Sequence, residues 1–359
     1  MPKRNYLWQK ILLSYVIVAL VPLLIAAFIA INLINTQIEK QAEITLNKNL
    51  DYVSSWFYQR SELVHFYLDT MVEVEGSDNL LQMDEGLQPY LSFVKDKNNL
   101  SFLTLVSVDG CVLATATSEV LTGNPENDSC YELFDLHGFS HGVTILSPSF
   151  LEEEGLLERA YVETVGDAGE VDGVEDRGLA LAAAVPLHDK EGQLKAYLFG
   201  GELLNKNLAM VDEISANWQN TATLFLEDVR VATSVRLISG ERATGTRLSE
   251  EVSGVVLGQG ERFLGRAYIV DDWYLTAYDP IYNESEEIIG ALYLGGPEEP
   301  FVQIKRDTVA RFFLIALFGI ALAILAGYLI LRSIKHPLQK FIEAMRKVQS
   351  GDLSQRLKE

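Results

Sequence analysis

The sequence predicts an α+β protein: two related antiparallel modules in tandem behind a long helix, flanked by two membrane-spanning helices. Three observations predict it. Two uncharged apolar runs, residues 11–33 and 312–331, lie near the ends of the 359-residue chain. Between them the hydrophobic period changes from helical to alternating. Finally, AAAVPLHDKEGQLKAYLFGG and TAYDPIYNESEEIIGALYLGG repeat one pattern, with Pro186 matching Pro280 and Gly200-Gly201 matching Gly295-Gly296. That is a weak internal duplication.

The apolar runs come first. Roughly 20 apolar residues cross a hydrocarbon core. A cleaved signal has a shorter apolar region, ~7–15 residues, before a small-residue cleavage site. The first run is therefore read as a true span, residues 11–33, and the second as residues 311–332. Lys3, Arg4 and Lys10 precede the first, while Arg332, Lys335, Lys340, Arg346 and Lys347 follow the second. By the positive-inside rule both ends face the cytoplasm, residues 1–10 and 333–359, and residues 34–310 lie outside.

Composition narrows the function. The chain is 48% hydrophobic and 22% charged, which excludes disorder. Its net charge of −21, with positive ends and a more acidic middle, excludes a nucleic-acid binder. Two cysteines exclude a disulfide-dense scaffold and a four-cysteine zinc site.

Residues 34–88 read as a long extracytoplasmic helix. Leu46, Leu50, Val53, Phe57, Arg60, Val64, Tyr67 and Met71 form a heptad seam interrupted once, at Arg60. Such a seam either packs on its own domain or pairs with a second copy, and its length favours a homodimer. The first module is placed at 89–218 and the second at 219–305. Strands are expected at 102–108, 111–117, 179–187 and 194–199, then at 223–226, 229–234, 263–270, 273–281 and 288–294, with a helix over 205–218. Residues 152–176, rich in acids and glycine, read as a solvated loop without a calcium-loop template.

In the tail, Leu338, Phe341 and Met345 step along one face of an amphipathic helix. Pro337 sits where a helix can start without losing a bond, and Gly351 follows its end. Movement of the second span would pass directly to this helix.

His336-Pro337-Leu338 through Gly351-Asp352-Leu353 resembles the first helix and connector of a HAMP linker. The outer segment resembles a tandem (double) Cache sensor of bacterial receptors, near the Cache 3/Cache 2 fusion type. The stretches that carry this are GLALAAAVPLHDKEGQLKAYLFGGELLNKNLAMVDEI, RVATSVRLISGERATGTRLSEEV and DDWYLTAYDPIYNESEEIIGALYLGG. The resemblance implies PAS-like Cache modules, a bacterial inner-membrane location and a small-molecule ligand. It also implies a cytoplasmic signalling partner. A sensor histidine kinase with its response regulator is the first expectation, and a chemotaxis receptor with its adaptor is the alternative. A third reading is a tethered binding protein with no output. No second HAMP helix and no catalytic domain precede the end at Glu359, so a fragment, or a gene without its output, is expected.

Within the chain no catalytic group, cofactor or metal site is expected. The histidines are scattered, and glycines beside His137 and His141 break any helix that would align them. Ligand binding is the expected chemistry. In the second module Arg236, Arg242 and Arg247 crowd one loop, and Trp273, Tyr274 and Tyr278 sit on one strand. Guanidinium forks and phenols suit a small carboxylate. In the first module Arg159, Tyr161 and Lys97 are the polar candidates, and they leave an uncharged or amine-bearing ligand open. Cys111 and Cys130 are a candidate disulfide in an oxidising compartment.

Overall fold

The computed structural model describes residues 3–83, 86–117, 136, 138–166, 169–269 and 272–349. Its internal contacts divide the chain into residues 42–298 and the two terminal segments, 1–41 and 299–359.

Helix α1 (Lys3–Glu75) supplies its last turns to the unit 42–298 and stops at Gly76, whose φ of 82° is left-handed. Two short helices follow, α2 (Ser77–Gln82) and α3 (Leu87–Lys97). Next come β1 (Phe102–Ser107), β2 (Val112–Thr115) and β3 (His141–Leu146). Beyond them are α4 (Pro148–Glu153), α5 (Leu157–Ala160), β4 (Val162–Val165) and β5 (Val171–Glu175). Strands β6 (Gly178–His188) and β7 (Leu194–Leu203) complete an antiparallel sheet of order β2-β1-β7-β6-β3.

Helix α6 (Leu208–Trp218) leads to β8 (Thr221–Leu226) and β9 (Val229–Thr233). After α7 (Glu250–Val256) come β10 (Phe263–Ile269), β11 (Asp272–Tyr282) and β12 (Ile288–Pro297). This second sheet has the order β10-β11-β12-β8-β9. Numbered within itself, each five-stranded sheet reads 2-1-5-4-3. The two prolines hold the same place in their ladders, each one residue before a register shift, at Leu187/His188 and at Ile281/Tyr282, while the glycines pair three residues before Pro186 but four before Pro280.

The seam of α1 is used inside the chain. Leu46, Leu50, Val53, Phe57, Val64 and Met71 are all buried within this single chain. Val64, Leu68 and Met71 pack with Leu91 of α3 and with Leu103 and Leu198 of the first sheet. The seam face packs on the chain's own domain, and the helix is long enough to serve both sheets. Arg60, which interrupts the seam, donates to Glu202 of β7 at 3.0 Å. At the second sheet, Ser54 donates to Asp279 at 2.7 Å, and Arg262 bridges Asp279 to Asp51.

The acidic stretch 152–176 is not a loop. It holds α5 and the β4–β5 hairpin, closed by a 2.6 Å bond from Thr164 to Asp172. The alternation of buried Val162, exposed Glu163 and buried Thr164 is a strand period that the acid content masks.

The terminal unit contains the start of α1 and helix α8 (Glu299–Gln349). Among the described residues one helix is long and apolar enough to cross a membrane, Arg306–Arg346, with mean hydropathy 2.7. In α1 the described apolar stretch is shorter, Leu24–Leu33. Pro337, at the start of the amphipathic stretch, lies inside α8, so that stretch is continuous with the apolar segment before it. A proline forfeits one ladder bond, which a helix favoured on both sides tolerates. Leu338, Phe341 and Met345 are exposed on α8, while Gly351 falls outside the described residues.

Candidate ligand site

The second sheet offers one face on which charge and aromatic rings meet. Register sets it up. Phe225 pairs with Arg230 and with Ala291, and two residues along the same face Tyr293 pairs with Thr223 and Tyr278. Side chains two apart on a strand share a face, so Arg230, Phe225, Tyr293 and Tyr278 converge. The Tyr278 and Tyr293 ring centroids are 4.9 Å apart. The Arg230 guanidinium lies over the Phe225 ring, 5.2 Å from its centroid. Val235, Ala243, Val252 and Val256 close over the face from the loop after β9 and from α7.

Arg230 is 7% exposed. Its Nη1 donates to the Thr246 hydroxyl at 2.8 Å and to the Ala243 carbonyl at 3.5 Å. Its Nε has no hydrogen-bond partner among the described residues. Burial pulls its pKa down, and the titratable groups that act on it are the phenols of Tyr278 and Tyr293. Burial in turn pushes Tyr278 up to about 12 and Tyr293 higher still. Both are neutral donors at neutral pH.

The residues expected from sequence divide. Tyr278 is on this face, and half-buried Tyr274 packs against the same core. Trp273 is 45% exposed and sits under the Arg266 guanidinium. Of the three loop arginines, Arg236 and Arg242 stand opposite one another across an isolated bridge, and each of the three is engaged by a partner of its own. Arg242 makes a two-pronged pair with Asp212 at 2.8 and 2.7 Å, Arg247 pairs with Asp228 at 3.0 Å, and exposed Arg236 donates to the Gly240 carbonyl. Arg230 was missed. Its signal was a single charge inside an otherwise apolar strand, Val229-Arg230-Val231-Ala232, where every residue is buried.

In the first module Arg159, Tyr161 and Lys97 are all on the surface. Two carboxylates are buried there among the described residues, Glu175, paired with Arg177, and Glu154, at the end of α4. Glu154 accepts bonds from Thr104 and Thr117 beneath a cluster of Phe102, Phe150 and Phe199. Burial pushes its carboxyl above the usual range. Cys111 is in its disulfide-bonded form, while Cys130 and His137 fall outside the described residues. No group of three metal-ligating side chains occurs among the described residues.

Residues 202–308 match the family model described as single cache domain 3, and that span is a Cache sensor domain. It covers the whole second sheet and the start of α8. No curated protein matches the chain. Among solved structures the chain is similar to the periplasmic domain of LuxQ from Vibrio cholerae, at 15% identity and TM-score 0.39, over 72% of this chain and 98% of that one. It is also similar to the extracellular domain of the putative histidine kinase vpHK1S-Z8, at 10% identity and TM-score 0.45, over 73% and 97%. A third likeness is to methyl-accepting chemotaxis protein X, at 12% identity and TM-score 0.42, over 73% and 99%.

Proposed function

We propose that the chain is the sensing part of a two-pass inner-membrane receptor with tandem Cache modules outside the cell membrane. A small molecule binds the outer segment, 34–310, and the second span hands the change to the HAMP-like helix and a cytoplasmic output. The observation that carries this reading is continuity. Strand β12 crosses the Cache sheet and ends at Pro297, and the apolar helix α8 starts at Glu299. A shift of the ligand-facing sheet is thereby applied to the base of the span. A differential affinity of ~1.4 kcal/mol between two signalling states biases them tenfold.

The output we favour is a sensor histidine kinase acting on a response regulator. The receptor is read as a homodimer. Since the seam of α1 is buried, the dimer would use the opposite face, where Tyr52, Leu63 and Phe66 are 64%, 50% and 62% exposed.

The test joins the chain at Glu359 to a histidine-kinase core and follows a response-regulator reporter during exposure to small carboxylates, amino acids and amines. The expected result is a change with one chemical class. Phosphatase fusions within 34–310 should be active and fusions after 332 inactive. Inactive outer fusions, or a reporter deaf to every compound, would count against the receptor reading.

A further inference from the structure

Exposed apolar side chains gather at one end of the second sheet, and register fixes which end. Thr223 of β8 pairs with Thr233 of β9, Thr221 of β8 pairs with Gly295 of β12, and Tyr274 of β11 pairs with Pro297 of β12. The last residues of β9 and β12 therefore stand level with the first residues of β8 and β11. Beyond β9 the chain continues as a narrow hairpin, with Arg236 bridged to Arg242 and the Gly240 amide donating to the Leu237 carbonyl at 2.8 Å. Its tip carries Leu237, 36% exposed, and Ile238, 81% exposed. At the same end of the sheet, near the start of β11, Trp273 is 45% exposed under the Arg266 guanidinium.

An isoleucine left in water forgoes the burial that drives folding. Here the tip is held out by its own bonds: the Leu237 amide donates to the Glu241 carbonyl and Arg236 Nη1 donates to the Gly240 carbonyl, both at 2.8 Å. Strand β12 ends at this level, and residues 298–305 alone separate Pro297 from the apolar segment Arg306–Arg346 of α8. As helix, rising about 1.5 Å per residue, that tether is about 14 Å long.

We propose that the Leu237–Ile238 tip and Trp273 form a docking surface for the outer face of the bilayer that α8 crosses. The inference rests on the two-pass receptor reading for that bilayer. Aliphatic side chains enter the interface between headgroups and acyl chains. A tryptophan settles at headgroup depth. Arg266 is paired with Glu298, which leaves exposed Arg236 to meet a lipid phosphate. The short tether selects lipid over a protein partner, because it brings a membrane surface within reach of this end of the sheet and of no other. Docked there, the module has a fixed footing, and a shift of β12 passes to α8 instead of tilting the whole module.

The test is photo-crosslinking of the full chain in nanodiscs of phosphatidylcholine and phosphatidylglycerol. Benzoylphenylalanine is incorporated in place of Ile238, of Ser285 in the turn at the opposite end of β11, or of Phe318 in the apolar segment of α8. Mass spectrometry reads the lipid adducts. The yield at Ile238 should exceed that at Ser285 by about tenfold, because only an interfacial side chain meets lipid. Trp273→Ser should lower the Ile238 yield by about threefold through loss of the headgroup anchor. Arg236→Gln should shift the adducts away from phosphatidylglycerol. Equal yields at Ile238 and Ser285 overturn the docking surface, as does a yield that neither variant changes. A crosslink from Ile238 to a second copy of the chain in place of lipid overturns it as well. Adducts at Phe318 with none at Ile238 overturn the docking surface and leave the receptor reading standing. None at either position removes both.

Discussion

The Val165 amide donates to the Gly245 carbonyl across 3.0 Å, tying the β4–β5 hairpin to the loop that follows β9 in the second module. Gly245 has a φ of 86°, and a Cβ there would overlap the Glu163 carbonyl oxygen. The chain crossing thus needs both the left-handed backbone and the missing side chain. Gly245→Ala should destabilise the protein by about 3 kcal/mol, the sum of backbone strain and a clash that no flexible side chain can relieve. Gly240→Ala is the control. Its φ is 88°, but nothing lies within 4 Å of its Cβ, so the loss should be about 1 kcal/mol. Urea unfolding of the two variants checks the difference. Equal losses would mean that the contact with Glu163 contributes nothing.

Much of this architecture was legible in sequence, for a physical reason. The strands at 102–108, 179–187, 273–281 and 288–294 alternate or are uniformly apolar between turn residues, and β1, β6, β11 and β12 stand there. The match of Pro186 to Pro280 reflects a shared place in the ladder. What stayed hidden depends on contacts distant in sequence. The hairpin at 162–175 was masked by its acids, and its partner, Gly245, lies in the other module. The seam of α1 was visible, but a heptad does not say whether it meets a sheet or a second helix. For the site, proximity of three arginines in sequence says nothing of which partners they take. Each found a surface partner, whereas Arg230 was placed on the inner face by strand parity.

Ser54 and Asp279 couple α1 to the second sheet through a 2.7 Å bond, and Arg262 forks onto both oxygens of the same carboxylate. If the helix and sheet move as one body, this joint should be measurable. A double-mutant cycle of Ser54→Ala with Asp279→Asn should give a coupling energy of about 1 kcal/mol, typical of a part-buried bond to a charge. Arg262→Met should also raise amide exchange in residues 47–54 of α1. Additive single effects would show that the joint is solvated and carries no load.

Cys111 and Cys130 enclose a loop of 20 residues. If they are bonded to each other, reduction restores that loop's entropy to the unfolded chain and costs ~3 kcal/mol on the chain-entropy model. Dithiothreitol should lower the midpoint, and the double variant Cys111→Ser/Cys130→Ser should match the reduced protein and ignore the reagent. A midpoint indifferent to reduction would mean that no such bond constrains the fold.

Glu154 gives the first module a pH dependence whose sign is fixed by burial. Its carboxyl is 1% exposed, is pushed above the ordinary range first by desolvation, and is raised further by neighbouring Glu153, against the bonds from Thr104 and Thr117. In the unfolded chain a glutamate titrates near about 4.3. Below that pH both states hold the proton and the site costs nothing. As pH climbs from there through the higher folded pKa, the unfolded chain releases its proton first. The folded state is then penalised. Glu154→Gln removes this penalty while keeping an oxygen that can accept from Thr104. The variant should therefore be more stable than wild type at pH 7, and the two should converge below about pH 4. Urea midpoints for the pair across pH 3.5–8 read the difference directly, since other groups titrate equally in both. A gap that widens on acidification would mean that Glu154 is ionised and stabilised by its threonines, with a folded pKa below the unfolded one.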